Sequence, residues 1–518
     1  MTVSRRQALA GAGAWMLAGG HALRHAPAHA HEADPVLQVV GPWEIGGLHP
    51  AVTGNLFQRF EVLESLLEAD DAGRPLPGLA AAWRVSGDGL RWQFSLRPRA
   101  RFHDGTDVDA EAVVASLRRA QTPPGVLAQA PIVRMHAGDA RTVHITLSAP
   151  CATLPALLAH SSTVVLAPSA VDAQGQVRRI VGSGPYRITR LVPPQTLAVG
   201  VAPTYDGPAP VVQQARYLSV SRAETRALMA EGGQADLAMQ LDPASWQRLR
   251  LRRHLRIEEV TLPRTITLKL NAGLGPLRDA RVRRALSLCI DRHGIAKALL
   301  RAPHLAATQL LSPAAAAWHD PALPPLGRDP VEAARLLREA GWTRHTDGLR
   351  DAQGQPLTLT LRTFPDRPEL PIVATALQEQ WRQAGLAVQV RIGNSGDIPL
   401  GHRDGTLQLA LMARNYGSIP DVAATLLQDF GPNGGDWGAM GWQHPEVTDA
   451  LTRLDRLPGA AAEAQALRRR VVRILHEELP VIPVAWYRQQ VAVSQRVRDV
   501  SLDPLERSHR ISRMRWNT

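Results

Sequence analysis

Between Thr265 and Leu300 the spacing of apolar residues changes period once, and each half predicts an element. Ile266, Leu268 and Leu270 alternate with Thr267, Lys269 and Asn271, the period-2 pattern of a strand with one buried face. Gly273, Gly275 and Pro276 end it. Val282, Ala285, Leu286, Cys289 and Ile290 then recur at i, i+3, i+4, i+7 and i+8, one apolar stripe of a helix that leaves Arg281, Arg283 and Arg284 to face water. Asp291 is placed to cap the next helix.

The same reading extends along the chain. Val36 to Val40 is a strand closed by a Gly/Pro turn, and Arg59 to Leu67 reads as a helix with Phe60, Leu63, Leu66 and Leu67 on its apolar face. Gly87-Asp88-Gly89 turns a hairpin into a strand bearing Leu90, Trp92, Phe94 and Leu96; after a second turn at Asp104-Gly105, Asp109 caps a helix. Further on, Asp329-Pro330-Val331-Glu332 carries an N-cap, a first-turn proline and a capping-box glutamate, and Gly341 ends that helix. A strand through Leu357, Leu359 and Leu361, a helix through Val373, Leu377 and Trp381, and a strand from Leu386 to Ile392 make a βαβ unit, which argues for a mostly parallel sheet. Leu407 to Met412 is another strand, and Arg414 to Pro420 is the loop off its carboxyl end, where open α/β sheets bind ligands. A helix starts at Pro445, another runs through Val471 and Leu475, and Leu479 to Val484 leads back toward the start of the fold.

Length and charge narrow the class. The 518 residues suffice for roughly three domains of about 150 residues each. The net charge is +12, nearly all of it arginine, since Lys269 and Lys297 are the only lysines. The run Arg248, Arg250, Arg252, Arg253, Arg256 alternates with leucines and meets Glu258 and Glu259, a solvated helix face, and no nucleic-acid motif accompanies it. At the N-terminus Ser4-Arg5-Arg6 precedes a weakly apolar run from Ala8 to Gly20, followed by small-residue cleavage patterns at Ala26-Pro27-Ala28 and Ala28-His29-Ala30. This resembles a twin-arginine export signal over residues 1–30, so the mature protein is expected in the periplasm. Cleavage after Ala28 would leave His29-Ala30-His31 as a terminus suited to square-planar Ni(II) or Cu(II). Cys151 and Cys289 fall in different predicted domains and are expected as two packed thiols rather than a disulfide.

No constellation supports catalysis. His103-Asp104 sits in a turn, Val181-Gly182-Ser183-Gly184-Pro185-Tyr186 lacks the spacing and terminal lysine of a phosphate loop, and His476-Glu477 lacks the second histidine of a zinc motif. No cofactor and no metal ligand set is expected. A secreted hydrolase is the remote alternative.

The run from Asn271 through Pro276-Leu277-Arg278-Asp279, Arg281-Val282-Arg283-Arg284-Ala285-Leu286 and Ile290-Asp291-Arg292 resembles the solute-binding proteins of ABC importers, the oligopeptide, dipeptide and nickel class. So do Pro75 to Ala120 and Gly182 to Tyr186. The resemblance implies an α/β, two-lobed periplasmic binding protein type 2 fold with an extra subdomain inserted in lobe I. Residues 36–62, 181–271 and 482–518 would form lobe I, 63–180 the inserted subdomain and 272–481 lobe II. It further implies a monomeric periplasmic subunit that traps a small solute by hinge closure and delivers it to a membrane permease and its ATPase. The first expectation for the solute is peptide-like; the alternative is nickel or a metal-metallophore complex. Peptide-binding members place an aspartate where this chain has Tyr416, and the eight residues Arg414 to Asp421 look more like the nickel-binding members. The arginines those members direct at a carboxylate-bearing complex have no counterpart in His160-Ser161-Ser162-Thr163. Candidate ligand-binding residues are therefore the aromatics Tyr416, Trp437, Trp442 and Trp486, the polar Arg414 and Asn415, and Leu56 on the opposing wall.

Overall fold

The computed structural model describes residues 35–432, 434–457 and 462–517. The leader and the His29-Ala30-His31 terminus lie outside these residues. One ten-stranded sheet runs through the described chain, in the order Ala387–Ile392, Thr358–Thr363, Leu409–Asn415, Leu255–Leu270, Val481–Ser494, Leu237–Met239, Val36–Gly41, Gln214–Ser219, Thr196–Val201, Tyr186–Val192. At its centre lie its two longest strands, of 16 and 14 residues, paired antiparallel and shared by both halves. Leu262 is the last residue in regular register before a slip to Thr265, and a second slip separates Ile266 from Thr267. Pro263 sits inside the first slip, where a residue without an N–H removes a ladder bond and lets the strand bend.

Each half of the sheet is covered by its own apolar core. Leu37, Val39, Phe57, Phe60, Tyr217, Val491 and Val493 belong to the first, which continues into a separate four-stranded sheet through Phe94, Val143 and Ile145. The second half is covered on both faces. Ile266, Leu268, Leu286, Leu361, Trp381 and Ile482 pack on one, and Tyr416, Leu426, Phe430, Leu451, Val471 and Leu475 form the cluster that covers the other. The described chain thus has two α/β bodies, each with its own apolar core, joined by two continuous strands, the hinge strands of the two-lobed arrangement expected from sequence.

Four sequence expectations change here. The helix expected over Arg59 to Leu67 is instead Pro50–Arg59, started by the His49 cap and Pro50 and stopped at Glu61, whose φ is +55°. Phe60, Leu63, Leu66 and Leu67 are buried as expected, but on an irregular and extended segment. The sheet is mixed rather than mostly parallel. Parallel pairing is confined to Thr358–Thr363 with its two neighbours and to Val36–Gly41 with its two, because the hinge strands run antiparallel to what they touch. The hinge strand has two buried faces beyond Leu262, so Thr267 and Lys269 are fully enclosed. Arg283 is likewise buried, donating to the carbonyls of Glu478, Leu277 and Arg278. Both cysteines are free and buried.

At the bend Arg264 faces Glu506 from the C-terminal segment; their side chains are 6% and 4% exposed. Neither ion has water to fall back on, so removing one leaves the other uncompensated. Glu506→Gln is expected to lower unfolding free energy by about 3–5 kcal/mol in urea denaturation; a loss well under about 1 kcal/mol would show the pair contributes nothing net.

Candidate functional site

Three arginines from different parts of the fold converge on this bend. Arg59 ends the helix Pro50–Arg59, Arg264 lies at the register slip, and Arg367 follows the carboxyl end of strand Thr358–Thr363. Arg59 Nε donates to the Glu506 carbonyl at 2.8 Å, and Arg264 reaches the Glu506 carboxylate with both terminal nitrogens. Arg367 Nη1 donates to Tyr487 Oη at 3.0 Å and Gln240 Oε1 at 3.2 Å, tying the second body to the first. The guanidinium carbons of Arg264 and Arg367 lie 5.2 and 5.1 Å from the Tyr487 ring centre, and Arg59 stands 4.7 Å from that of Trp43. Asn415 Nδ2 completes the group, donating to Glu506 Oε2 at 3.2 Å.

The electrostatics follow from this crowding. Burial opposes ionisation of Glu506, and the charges of Arg264, Arg59 and Arg367 overcome it, holding the carboxyl below its ordinary range. Arg264 is pushed down to about 10 by burial, with Arg367 adding to the push and Glu506 resisting it. Three guanidinium groups thus crowd Glu506, with Asp503 also acting on Arg59 and Glu369 on Arg367, and Arg264 Nε has no acceptor among the described residues. The cluster is rich in arginine and set between the two bodies. Beside it is a cavity of about 20 Å³, room for about one water, lined in part by Trp43, Arg59, Glu506 and His509.

The residues expected from sequence fall in several places. Arg414 and Asn415 are the last residues of strand Leu409–Asn415 rather than loop residues. Arg414 makes two 2.7 Å bonds to the carboxylate of Asp429, which is itself buried. Tyr416 is 1% exposed, packs in the cluster with Leu426 and Phe430, and donates its backbone N–H to Pro263 O at 2.7 Å. Trp437 is half-buried and edge-on to Phe364; Trp442 is half-buried against Phe430 and His444. Trp486, half-buried on a hinge strand, donates Nε1–H to Gln309 O and meets His319 edge-on. Leu56 lies in the first core. Of this set, the structure brings Asn415 onto the arginine cluster. Burial pushes the His160 imidazole down to about 4, so His160 to Thr163 stays uncharged.

Sequence reading missed Arg59, Arg264, Arg367, Gln240, Tyr487 and Glu506. A signal existed only for Arg367, which stands between Asp366 and Pro368 just past a strand's carboxyl end. It also missed Lys269, whose Nζ touches His402 Nδ1 at 2.6 Å and donates to Asp436 O at 2.8 Å and Gly435 O at 3.2 Å. This side chain pins the segment that presents Trp437, and burial pushes its amine down to about 7.

The two bodies, the long hinge strands and the polar group between them now meet known proteins. Residues 74–437 match the bacterial extracellular solute-binding proteins, family 5. The chain belongs to that family. It is 24% identical over 499 residues to the nickel-binding periplasmic protein of Escherichia coli K12, covering 92% of this chain and 94% of that one. It is 28% identical over 327 residues to the glutathione-binding protein GsiB of the same strain, 61% of each chain. Among solved structures, NikA from Brucella suis in complex with Fe(III)-EDTA superposes with a TM-score of 0.83 at 24% identity, over 93% of this chain and 100% of that chain. The oligopeptide-binding protein AppA from Bacillus subtilis, in complex with a nonapeptide, superposes at 0.81 and 16% identity, over 93% and 99%. The fold is therefore the two-lobed one of the family's substrate-binding subunits, which serve ABC importers. No helix among the described residues is long and apolar enough to cross a membrane.

Two outcomes test the site's anatomy. Tyr416→Ala is expected to cost about 3–5 kcal/mol of stability, as for other buried aromatics; an unchanged urea midpoint would mean the ring is not packed. For Lys269, the folded amine near 7 binds fewer protons than an unfolded lysine at 10.5 throughout the interval between them. Its burial penalty is therefore complete below the lower value and relieved as pH rises toward the higher one. Unfolding free energy should climb across that window in the native protein and climb less in Lys269→Met; parallel curves would refute the lowered pKa of the buried amine.

Proposed function

We propose that this family member traps a small carboxylate-bearing solute at the junction of its lobes, a peptide-like one in the first reading. The observation that carries it is the gathering of Arg59, Arg264 and Arg367 around Glu506, with Arg264 on its carboxylate, Arg59 on its backbone carbonyl and Arg367 acting on it through charge. Buried guanidinium groups with a donor unmet are best matched by an incoming anion, and a planar carboxylate fits the fork of an arginine. Ligand in the cleft then adds contacts that exist only in the closed form, which shifts the population toward closure. The closed, loaded form is what the permease and its ATPase receive, and the protein performs no chemistry on its cargo.

A second reading, a metal held by a carboxylate-bearing chelator, is favoured by the nickel-binding relative that spans 92% of this chain. The arginine cluster suits both cargoes, since each presents carboxylates. Asn415 would meet the solute's polar end and Trp437, Trp442 and Trp486 its faces, while Leu56 and Tyr416 back the walls and Arg414 holds them through Asp429. We assign residues 36–62, 181–271 and 482–518 to lobe I, 63–180 to its insertion and 272–481 to lobe II. Residues 1–30 act as the twin-arginine leader of a monomeric periplasmic protein.

Native mass spectrometry of protein purified from periplasm separates the cargoes: a spread of peptide masses supports the first, a metal with its chelator the second. Calorimetry with glutathione, a dipeptide and Ni(II) with L-histidine should then find one binder, with Arg367→Gln weakening it about tenfold or more, the loss of one charge-assisted hydrogen bond. Binding unaffected by Arg367→Gln, or cargo that lacks any anionic group, would end the carboxylate reading.

A further inference from the structure

The two bodies meet a second time through residues of neither hinge strand. Asp455 caps the carboxyl end of helix Pro445–Leu454, whose Val447, Ala450, Leu451 and Leu454 belong to the second body's core. Facing it are Cys151, Ala152 and Thr153, which lead into a short turn of helix whose Leu154, Ala156 and Leu157 belong to the first body's core. Thr153 donates to Asp455 Oδ1 twice, from Oγ1 at 2.6 Å and from its backbone N–H at 3.3 Å. Cys151 Sγ stands 3.7 Å from the same oxygen, and Ala152 N–H donates to the Asp455 carbonyl at 2.5 Å. Four groups of one body therefore converge on one residue of the other, across 302 positions of chain for Thr153.

A second contact accompanies it. Gly73, in the turn Asp70 to Arg74 of the first body, lies so close to the second that an added Cβ would stand 2.5 Å from Pro420 O, and its φ is +82°. Ile419, beside that proline, packs into the first body's core. The contact at Asp455 joins residues anchored in different cores and has no partner once the bodies separate, while Ile419 carries the segment at Pro420 into the first body's core.

We propose that Asp455 is the catch of a clasp, and that the inserted segment Cys151 to Thr153 is its keeper, so that the insertion takes part in holding the protein closed. The carboxylate accepts hydrogen bonds from neutral donors, whose strength does not depend on a long side chain being ordered. The contact is short, local and independent of what the cleft carries. Opening exchanges it for water on both sides, so the clasp adds to closure without committing the protein to one state.

The experiment needs no ligand, so its failure would leave the solute reading standing and the reverse also holds. Hydrogen–deuterium exchange is followed in full-length protein and in Asp455→Ala, Thr153→Val and Thr153→Ser, together with the radius of gyration from small-angle X-ray scattering. In Asp455→Ala the amides of Ala152 and Thr153 should exchange about tenfold faster or more and the particle should expand, while the strand Arg91–Leu96 keeps its protection. Ala152 is the informative amide, because its acceptor is a backbone carbonyl that the substitution leaves in place. Thr153→Val should behave like Asp455→Ala and Thr153→Ser like the parent, and the threonine pair alone decides the matter if the aspartate variant does not fold. Unchanged exchange and size in Asp455→Ala and Thr153→Val would overturn the clasp. So would faster exchange shared equally by Arg91–Leu96, which would report unfolding of the insertion rather than opening.

Discussion

A buried ion pair at a bend in two strands is the constraint on which the architecture turns. Arg264 and Glu506 are both nearly out of water, and placing two charges there costs several kcal/mol per ion before their attraction returns any of it. Such a pair survives only if its remaining hydrogen-bonding groups are met. Here Arg59 takes the Glu506 backbone carbonyl and Asn415 the second carboxylate oxygen, one from each body. The pair thereby fixes the C-terminal segment against the hinge and gives both bodies a common reference point. The first register slip falls at Pro263, whose carbonyl oxygen accepts from Tyr416 and carries the pairing with strand Leu409–Asn415 one residue further. Register slip, ion pair and the turn after strand Leu409–Asn415 are therefore one structure, and altering any of them moves the others.

The near-exclusive use of arginine becomes intelligible at this junction. A guanidinium keeps its charge when buried, stacks on an aromatic face and offers several donors in a plane, and Arg264 and Arg367 use all three properties around Tyr487. An ammonium loses its proton readily in the same setting. Lys269, one of two lysines, illustrates the contrast, since burial brings its amine down to about 7 even with a histidine and two carbonyls at hand. The protein places its single buried lysine where it pins a loop, and entrusts the junction to arginine.

The fold was readable because local signals agreed with the global one. Asp109, Asp291 and Asp329 cap the helices they were expected to cap, and the βαβ unit after Leu357 has the expected order and pairing. Two of the errors share one cause: a periodic pattern reports which face is apolar, not what covers the other face. Thr267 and Lys269 look solvated in sequence because polar residues alternate there, yet helices of the second body enclose them. Arg283 looks like a water-facing residue for the same reason, until Glu478 and two backbone carbonyls are brought to it by the fold. The arginine cluster was illegible because its members stand at positions 59, 264 and 367 with their carboxylate at 506, and no spacing rule links residues that meet only through a hinge.

Two connections of different kind then divide the work of closure. In the proposed closure the hinge strands, being covalent and continuous, would set the axis about which the bodies turn but could not by themselves favour one angle. The angle is set by what meets across the gap: Arg367 on Gln240 and Tyr487, Asn415 on Glu506, Asp455 on Thr153. These contacts are polar, each a modest net gain in water, and Ile419 adds an apolar one. A binding protein requires a narrow gap between its open and closed forms. A ligand shifts the balance only by the difference in its affinity for the two forms, and a closed form already held too firmly would leave it nothing to shift. An arginine cluster at the junction and neutral donors at the clasp suit this requirement under the proposed reading, because an anionic cargo would strengthen the first and leave the second unchanged.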